Sequence, residues 1–170
     1  AACAIHPTKA RELDDAARAR LREMAAHPKC VAIGETGLDT YWIRHRPDDT
    51  APLAVQEEAL RFHIDVAVAA EKALMIHNRE ADADLLRVLG DAPSPKYIIL
   101  HCFSSPTAVA EEAIARGYVL SFAGNVTFKN NEELRQIAAM VPIDQLLIET
   151  DAPFMTPVPY RGAKNEPAFI

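Results

Sequence analysis

The sequence predicts an α/β fold in which parallel strands alternate with helices, as in most of a (β/α)8 barrel. Six short apolar runs carry little polar alternation, which suits strands covered on both faces. Stripes with a helical period separate the runs. The residues that follow the runs are polar and varied, and no G-x-G-x-x-G loop follows any of them. That weakens the reading as a dinucleotide-binding, open doubly wound sheet and favours the barrel.

The runs lie at residues 1–5, 30–34, 73–76, 97–100, 118–123 and 146–148. The first helical stripe is Leu13, Ala17, Leu21 and Met24, and the second is Leu60, Ile64, Ala67 and Val68. Leu85, Leu86 and Leu89 form a short third stripe. Val109, Ala113 and Ile114 form a fourth, entered through Ser105-Pro106 as an N-cap and first-turn pair. Leu134, Ile137, Ala138 and Val141 form a fifth, which Pro142 stops. Residues 39–52, "DTYWIRHRPDDTAP", read as one long irregular loop, a candidate lid or binding loop.

With 170 residues, 49% apolar and 25% charged, the chain has the make-up of one ordinary globular domain. Its opening "AACAI" reads as the interior of a strand and its closing "NEPAFI" completes nothing, so residues 1–170 are expected to be one partial domain. No window of 18 apolar residues occurs, so no membrane span is expected. Three cysteines do not build a disulfide framework, and Cys3, Cys30 and Cys102 read as buried reduced thiols of a cytoplasmic protein. A net charge of −6 disfavours broad electrostatic binding of nucleic acid. A bound metal would be one source of the missing positive charge.

The ends of the runs carry the chemistry. "GETGLD" places Glu35 just past a buried run, "MIHNRE" places His77, "LHCF" places His101 and "LIETDAP" places Glu149 and Asp151. "AIHP" places His6, and "SFAGNVTF" places Gly124 and Asn125. Taken singly, a histidine there is more often a hydrogen-bonded structural residue, and a carboxylate is more often a helix cap. Cys102 alone reads as a small apolar residue, and His27, His45 and His63 as structural or exposed. Taken together, Glu35, His77, His101 and Asp151 come from four runs at the same end. Two imidazoles and two carboxylates suit a borderline divalent ion. A bound cation removes the cost of burying such groups uncompensated. A bridging carboxylate would also allow two ions about 3.5–4 Å apart.

The motifs "AIHP", "GETGLD", "IHNREA", "HCFSS", "GNVTFKN" and "ETDAPFMTPVPYRGAKNEPAF" resemble the TatD family of metal-dependent deoxyribonucleases over residues 2–169. Ala4 stands where that family usually has glycine, and the family's His-x-His pair would precede the first residue here. The resemblance implies a TIM-type barrel, here without its first and last strands. It implies two divalent ions, Mg, Mn or Zn, held by Glu35, His77, His101 and Asp151, with Glu35 as the bridge. It implies hydrolysis of DNA phosphodiesters, at single strands or 3′ ends, with DNA as substrate and no membrane or obligate protein partner. Asp151 would ligate one ion and take or orient a water proton. His6 and Asn125 are expected to hold the substrate phosphate or orient water. Arg79 and Arg161 are candidates for a planar fork onto phosphate oxygens, against ordinary surface pairing. Trp42, Tyr160 and Phe103 are candidate stacking surfaces for bases, with core packing favoured for Phe103.

Two rival readings remain. An amide, ester or lactone hydrolase of the same barrel superfamily commonly bridges its metals with a carboxylated lysine, and here Glu35 fills that position. A non-catalytic barrel scaffold would need no metal.

Overall fold

Each strand is followed by a helix almost throughout, because apolar runs and amphipathic stripes alternate in the chain. The computed structural model describes residues 1–170. The elements are β1 (Ala2–Cys3), α1 (Asp15–Ala26), β2 (Ala32–Asp39), α2 (Thr40–His45), α3 (Leu53–Ala69), β3 (Ala73–Arg79), α4 (Asp82–Asp91), β4 (Ile98–Leu100), α5 (Thr107–Ala115), β5 (Val119–Phe122), α6 (Glu132–Met140) and β6 (Leu146–Ile148). They form two compact units, Ala1–Ile99 and Leu100–Ile170.

In the first unit β2 pairs in parallel with both β1 and β3. Ile33, Leu38, Leu74 and Ile76 are buried on this sheet, and Leu60, Ile64 and Ala67 of α3 are buried with them. A strand covered on both faces needs no polar alternation, which is why its apolar run is continuous. Asp14 caps α1 by accepting from the Ala17 N–H at 2.8 Å. Gln56 of α3 is fully buried and works as a clamp. Its Oε1 accepts from Asp39 N at 2.7 Å, and its Nε2 donates to the carbonyls of Asp39 at 3.2 Å and Ala51 at 2.8 Å. The end of β2 is thereby fastened to α3.

In the second unit β5 pairs in parallel with β6, Leu120 opposite Leu146 and Phe122 opposite Ile148. Leu120, Ala110, Ala113, Leu134 and Ile137 form its core, with Phe103 and Phe122 in edge contact at 6.1 Å.

Several boundaries differ from the sequence expectation. The second and third runs continue well past their apolar parts, so Glu35 and His77 lie within β2 and β3 and not beyond them. Ladder pairing persists through Gly37–His77 and Asp39–Arg79, because the polar side chains there satisfy one another. The first run contracts to Ala2–Cys3. The expected loop at 39–52 contains α2, since Asp39 caps it by accepting from the Trp42 N–H at 2.7 Å. Helix α5 is capped at Pro106 and not by Ser105; Glu133 of α6 instead takes the Thr107 N–H at 3.0 Å. Cys30 is buried, but Cys3 and Cys102 are only half-buried; all three are free thiols. Burial and a hydrogen bond with Cys30 push the Cys3 thiol up to about 11. No helix is long and apolar enough to cross a membrane.

Candidate metal centre

The first unit builds its cluster from strand register. Between Ile33 and Thr36, β2 carries one more residue than β3 does between Leu74 and Ile76. Past this bulge Gly37 stands opposite His77. Glu35, Gly37 and Asp39 are alternate residues of the strand, so His77 meets a gap flanked by two carboxylates. Its Nδ1 lies 2.8 Å from Glu35 Oε1, and its Nε2 lies 2.8 Å from Asp39 Oδ2. Gly37 has φ +144°, and a Cβ there would lie 1.9 Å from the His77 carbonyl oxygen. Only glycine permits this approach.

Asp39 is fully buried. Burial would raise its pKa, but the His77 hydrogen bond, the Trp42 N–H and the charges of His77 and Arg79 outweigh it and hold the carboxyl below its ordinary value. Burial lowers the His77 pKa, but its hydrogen bonds to Asp39 and Glu35 and their charges leave it raised.

His6 follows β1. Its Nδ1 accepts from the Thr8 N–H at 3.3 Å and lies 2.8 Å from Thr8 Oγ1, while its Nε2 stands 3.8 Å from Glu35 Oε1. Its ring meets His77 edge-on at 4.6 Å. One donor atom each from His6, Glu35 and His77 lie within 4.8 Å of one another. Behind them His63 is fully buried. Its Nδ1 donates to the Ala59 carbonyl at 2.6 Å, and its Nε2 accepts from Ile5 N at 3.1 Å. Burial pushes its pKa down to about 4, so it is a neutral structural histidine, as its helical position suggested.

The second unit gathers His101, Glu149 and Asp151, again with donor atoms within 4.8 Å of one another. His101 Nδ1 lies 2.8 Å from Glu149 Oε1, and its Nε2 lies 3.3 Å from Asp151 Oδ1. Glu149 also accepts from Cys102 N at 3.1 Å and from the Ser121 hydroxyl. Cys102 is no plain apolar residue: its Sγ stands 3.8 Å from Asp151 Oδ2. Cys102 and Asp151 both adopt left-handed backbone, at φ 45° and 54°. Non-glycine residues hold that conformation when their surroundings impose it.

Both groups offer imidazole nitrogen and carboxylate oxygen, the donor set of a divalent ion with mixed ligands. The expected ligands thus fall into two groups, Glu35 with His77 and His101 with Asp151, and His6 joins the first. Two members of the groups, His6 and Glu149, were not among the expected ligands, nor was Asp39, which holds His77 from outside the first group. Glu149 was visible at its strand end. Asp39 was hidden as the start of an expected loop, although the two-residue spacing Glu35–Gly37–Asp39 marks one face of a strand.

The remaining candidates are placed as follows. The Arg79 guanidinium lies 3.7 Å from the Tyr41 ring centroid, and that of Arg161 lies 3.8 Å from Phe128. Asn125 is buried, and its Oδ1 has no hydrogen-bond partner. Phe103 is core, and Tyr160 stacks on Phe169 at 4.6 Å.

A family model described as TatD related DNase matches residues 1–170. The chain belongs to the TatD family. Among curated TatD relatives, an uncharacterized metal-dependent hydrolase TatD of Mycobacterium tuberculosis is 52% identical over 167 residues, covering 98% of this chain and 63% of the relative. A 3'-5' ssDNA/RNA exonuclease TatD of Erwinia amylovora is 34% identical over 174 residues, covering 98% of this chain and 64% of that protein. The chain thus spans just under two thirds of the length of these relatives. The crystal structure of YJJV, a TatD homolog from Escherichia coli K12, matches with a TM-score of 0.87 at 27% identity, over 98% of this chain and 62% of that one. The fold class is therefore α/β of the TIM-type barrel kind, with six parallel strands in this chain.

Proposed function

We propose that the protein is a metal-dependent phosphodiesterase acting on DNA, as a 3′–5′ deoxyribonuclease on single strands or 3′ ends. The carrying observation is the pair of clusters, each bracketing one imidazole between two carboxylates. An imidazole so placed keeps a fixed ring orientation, which is what a metal ligand needs. Glu35 and His77 in the first unit, and His101 and Asp151 in the second, are the ligands; His6 stands beside the first pair. When bound, divalent ions (Mg, Mn or Zn) supply Lewis acidity and the positive charge that a chain of net charge −6 otherwise lacks.

The chain's own groups do the rest. Asp39 and Glu149 fix the rings of His77 and His101. Asp151, partly exposed and held in left-handed backbone, presents a carboxylate able to accept or orient the proton of attacking water. Asn125 carries a buried amide oxygen free to accept from water, and Arg79 and Arg161 supply donors for phosphate oxygens. The name of the Erwinia relative supports the choice of nucleic acid.

The test is degradation of 3′- and 5′-end-labelled single-stranded DNA by the full-length protein with added Mg or Mn, with Asp151→Asn as control. Stepwise shortening from the 3′ end that the substitution removes is the expected result. Turnover of lactones or amides with DNA untouched would overturn the reading.

A further inference from the structure

We propose that Tyr41, Trp42, Arg46 and Arg79 form a subsite for single-stranded polynucleotide beside the first unit's metal cluster. The proposal rests on the phosphodiesterase reading above and deepens it.

The geometry is tied to the cluster at two points. One oxygen of Asp39 holds His77 and the other caps α2 at Trp42 N, so the helix bearing the two aromatic residues is anchored to the ligand. Arg79 lies two residues beyond His77 on β3 and therefore shares its face of the strand; its register partner is Asp39. The Arg79 guanidinium sits 3.7 Å from the Tyr41 ring centroid and 5.4 Å from that of Trp42. Arg46 sits 5.1 Å from the Trp42 centroid. His45 stacks on Tyr41 at 3.9 Å and 21°. Two groups that close to one centroid must occupy opposite faces, so His45, Tyr41 and Arg79 make a column.

The chemistry of the column selects its ligand. A guanidinium resting on a ring uses its face for that contact and leaves its N–H donors pointing outward in its plane, which suits bidentate phosphate binding. Neighbouring Arg44 is spent on Glu80, whereas Arg46 and Arg79 are exposed and rest on rings. Two guanidinium groups sharing one indole match the successive phosphates of a polynucleotide better than a lone anion. With both faces of Tyr41 taken, the outer faces of the column, those of His45 and Arg79, accept any unstacked base. The subsite therefore predicts preference for unpaired strands of several nucleotides, with little regard for base identity.

Trp42 is the chain's one tryptophan and reports on the site directly. The full-length protein, stripped of metal with chelator, is titrated with an oligothymidylate, an oligoadenylate and an oligouridylate. Trp42→Phe serves as the emission blank. Quenching by all three, absent with inorganic phosphate or thymidine 5′-phosphate at equal concentration, is expected. Arg79→Ala and Arg46→Ala should each reduce the log–log salt slope of oligonucleotide affinity by about one. In the metal-loaded protein, Trp42→Ala and Arg79→Ala should raise the KM for the oligonucleotide about tenfold more than that for bis(p-nitrophenyl) phosphate. Trp42→Phe should retain the wild-type ratio, and Arg79→Lys should not.

Equal losses on both substrates, an unchanged oligonucleotide KM, or equal quenching by anionic lipid vesicles or a phosphopeptide would overturn the subsite. Such a result, with wild-type cleavage of DNA intact, leaves the phosphodiesterase reading standing. Oligonucleotide quenching by a protein that hydrolyses neither ester removes that reading and keeps the subsite.

Discussion

His77 and His101 are each held by two carboxylates, but on different kinds of backbone. In the first unit every member of the bracket stands on a strand, and register alone places them: Glu35 and Asp39 flank Gly37, and His77 faces the gap. Asp39 is fully buried and is clamped further by Gln56 and Trp42 N. In the second unit both carboxylates follow the three-residue strand β6 and stand on no ladder. Their positions depend on the left-handed turn at Asp151 and on hydrogen bonds from Ser121 and Cys102. One bracket is set by a paired ladder, the other by loop shape and side-chain bonds. The first is the more rigid scaffold, and the second has more room to adjust.

Removal of a ligand tests both brackets at once and has the largest expected effect. His77→Ala and His101→Ala should each cut DNA hydrolysis by about a thousandfold or more. Elemental analysis of the full-length protein should show divalent metal lost from each.

The sharper comparison is Asp39→Asn against Glu149→Gln, which keep shape and remove charge. Loss of the buried Asp39 charge should weaken metal binding about 10–100-fold and destabilise the metal-free fold by about 3 kcal/mol. Glu149→Gln should weaken metal binding but change the melting temperature less, because its surroundings can rearrange. Equal melting shifts would erase the proposed difference in rigidity.

His63 gives a pH test of the ladder unit. Its folded pKa of about 4 lies below its unfolded value of 6.5, so between the two only the unfolded chain takes up the proton. Stability should fall as pH drops from about 6.5 to about 4, by an amount on the order of 3 kcal/mol, and this contribution should flatten below that. Denaturant unfolding of metal-free wild type and His63→Gln across that range measures it; the variant should lack this slope.

The smallest effects belong to Arg161→Ala and Asn125→Ala, expected to raise the KM for DNA about threefold to tenfold without loss of metal.

The run-and-stripe pattern was enough to place the strands and most helices along the chain, because short continuous apolar segments suit strands sheltered on both faces. It could not reveal where pairing stops. "ETGLD" looks like a loop by composition, yet Glu35 and Asp39 find His77 across the ladder and Thr36 finds His63 on α3, so the strand continues to Asp39. That one misjudged boundary concealed both Asp39 as the partner of His77 and α2 as a helix. The donor types that meet in the two groups, imidazole and carboxylate, were legible from the strand ends. Their division into two groups was not, since residue spacing carries no information on which side chains meet.

The tightest point in the first cluster is an atom that is missing, the β-carbon of residue 37. Any replacement would drive the neighbouring chain segment away and carry the imidazole with it. In a saturation library selected for function, position 37 should therefore tolerate no alternative. Extra metal salt in the medium, able to rescue a merely weakened ligand, should do nothing for it.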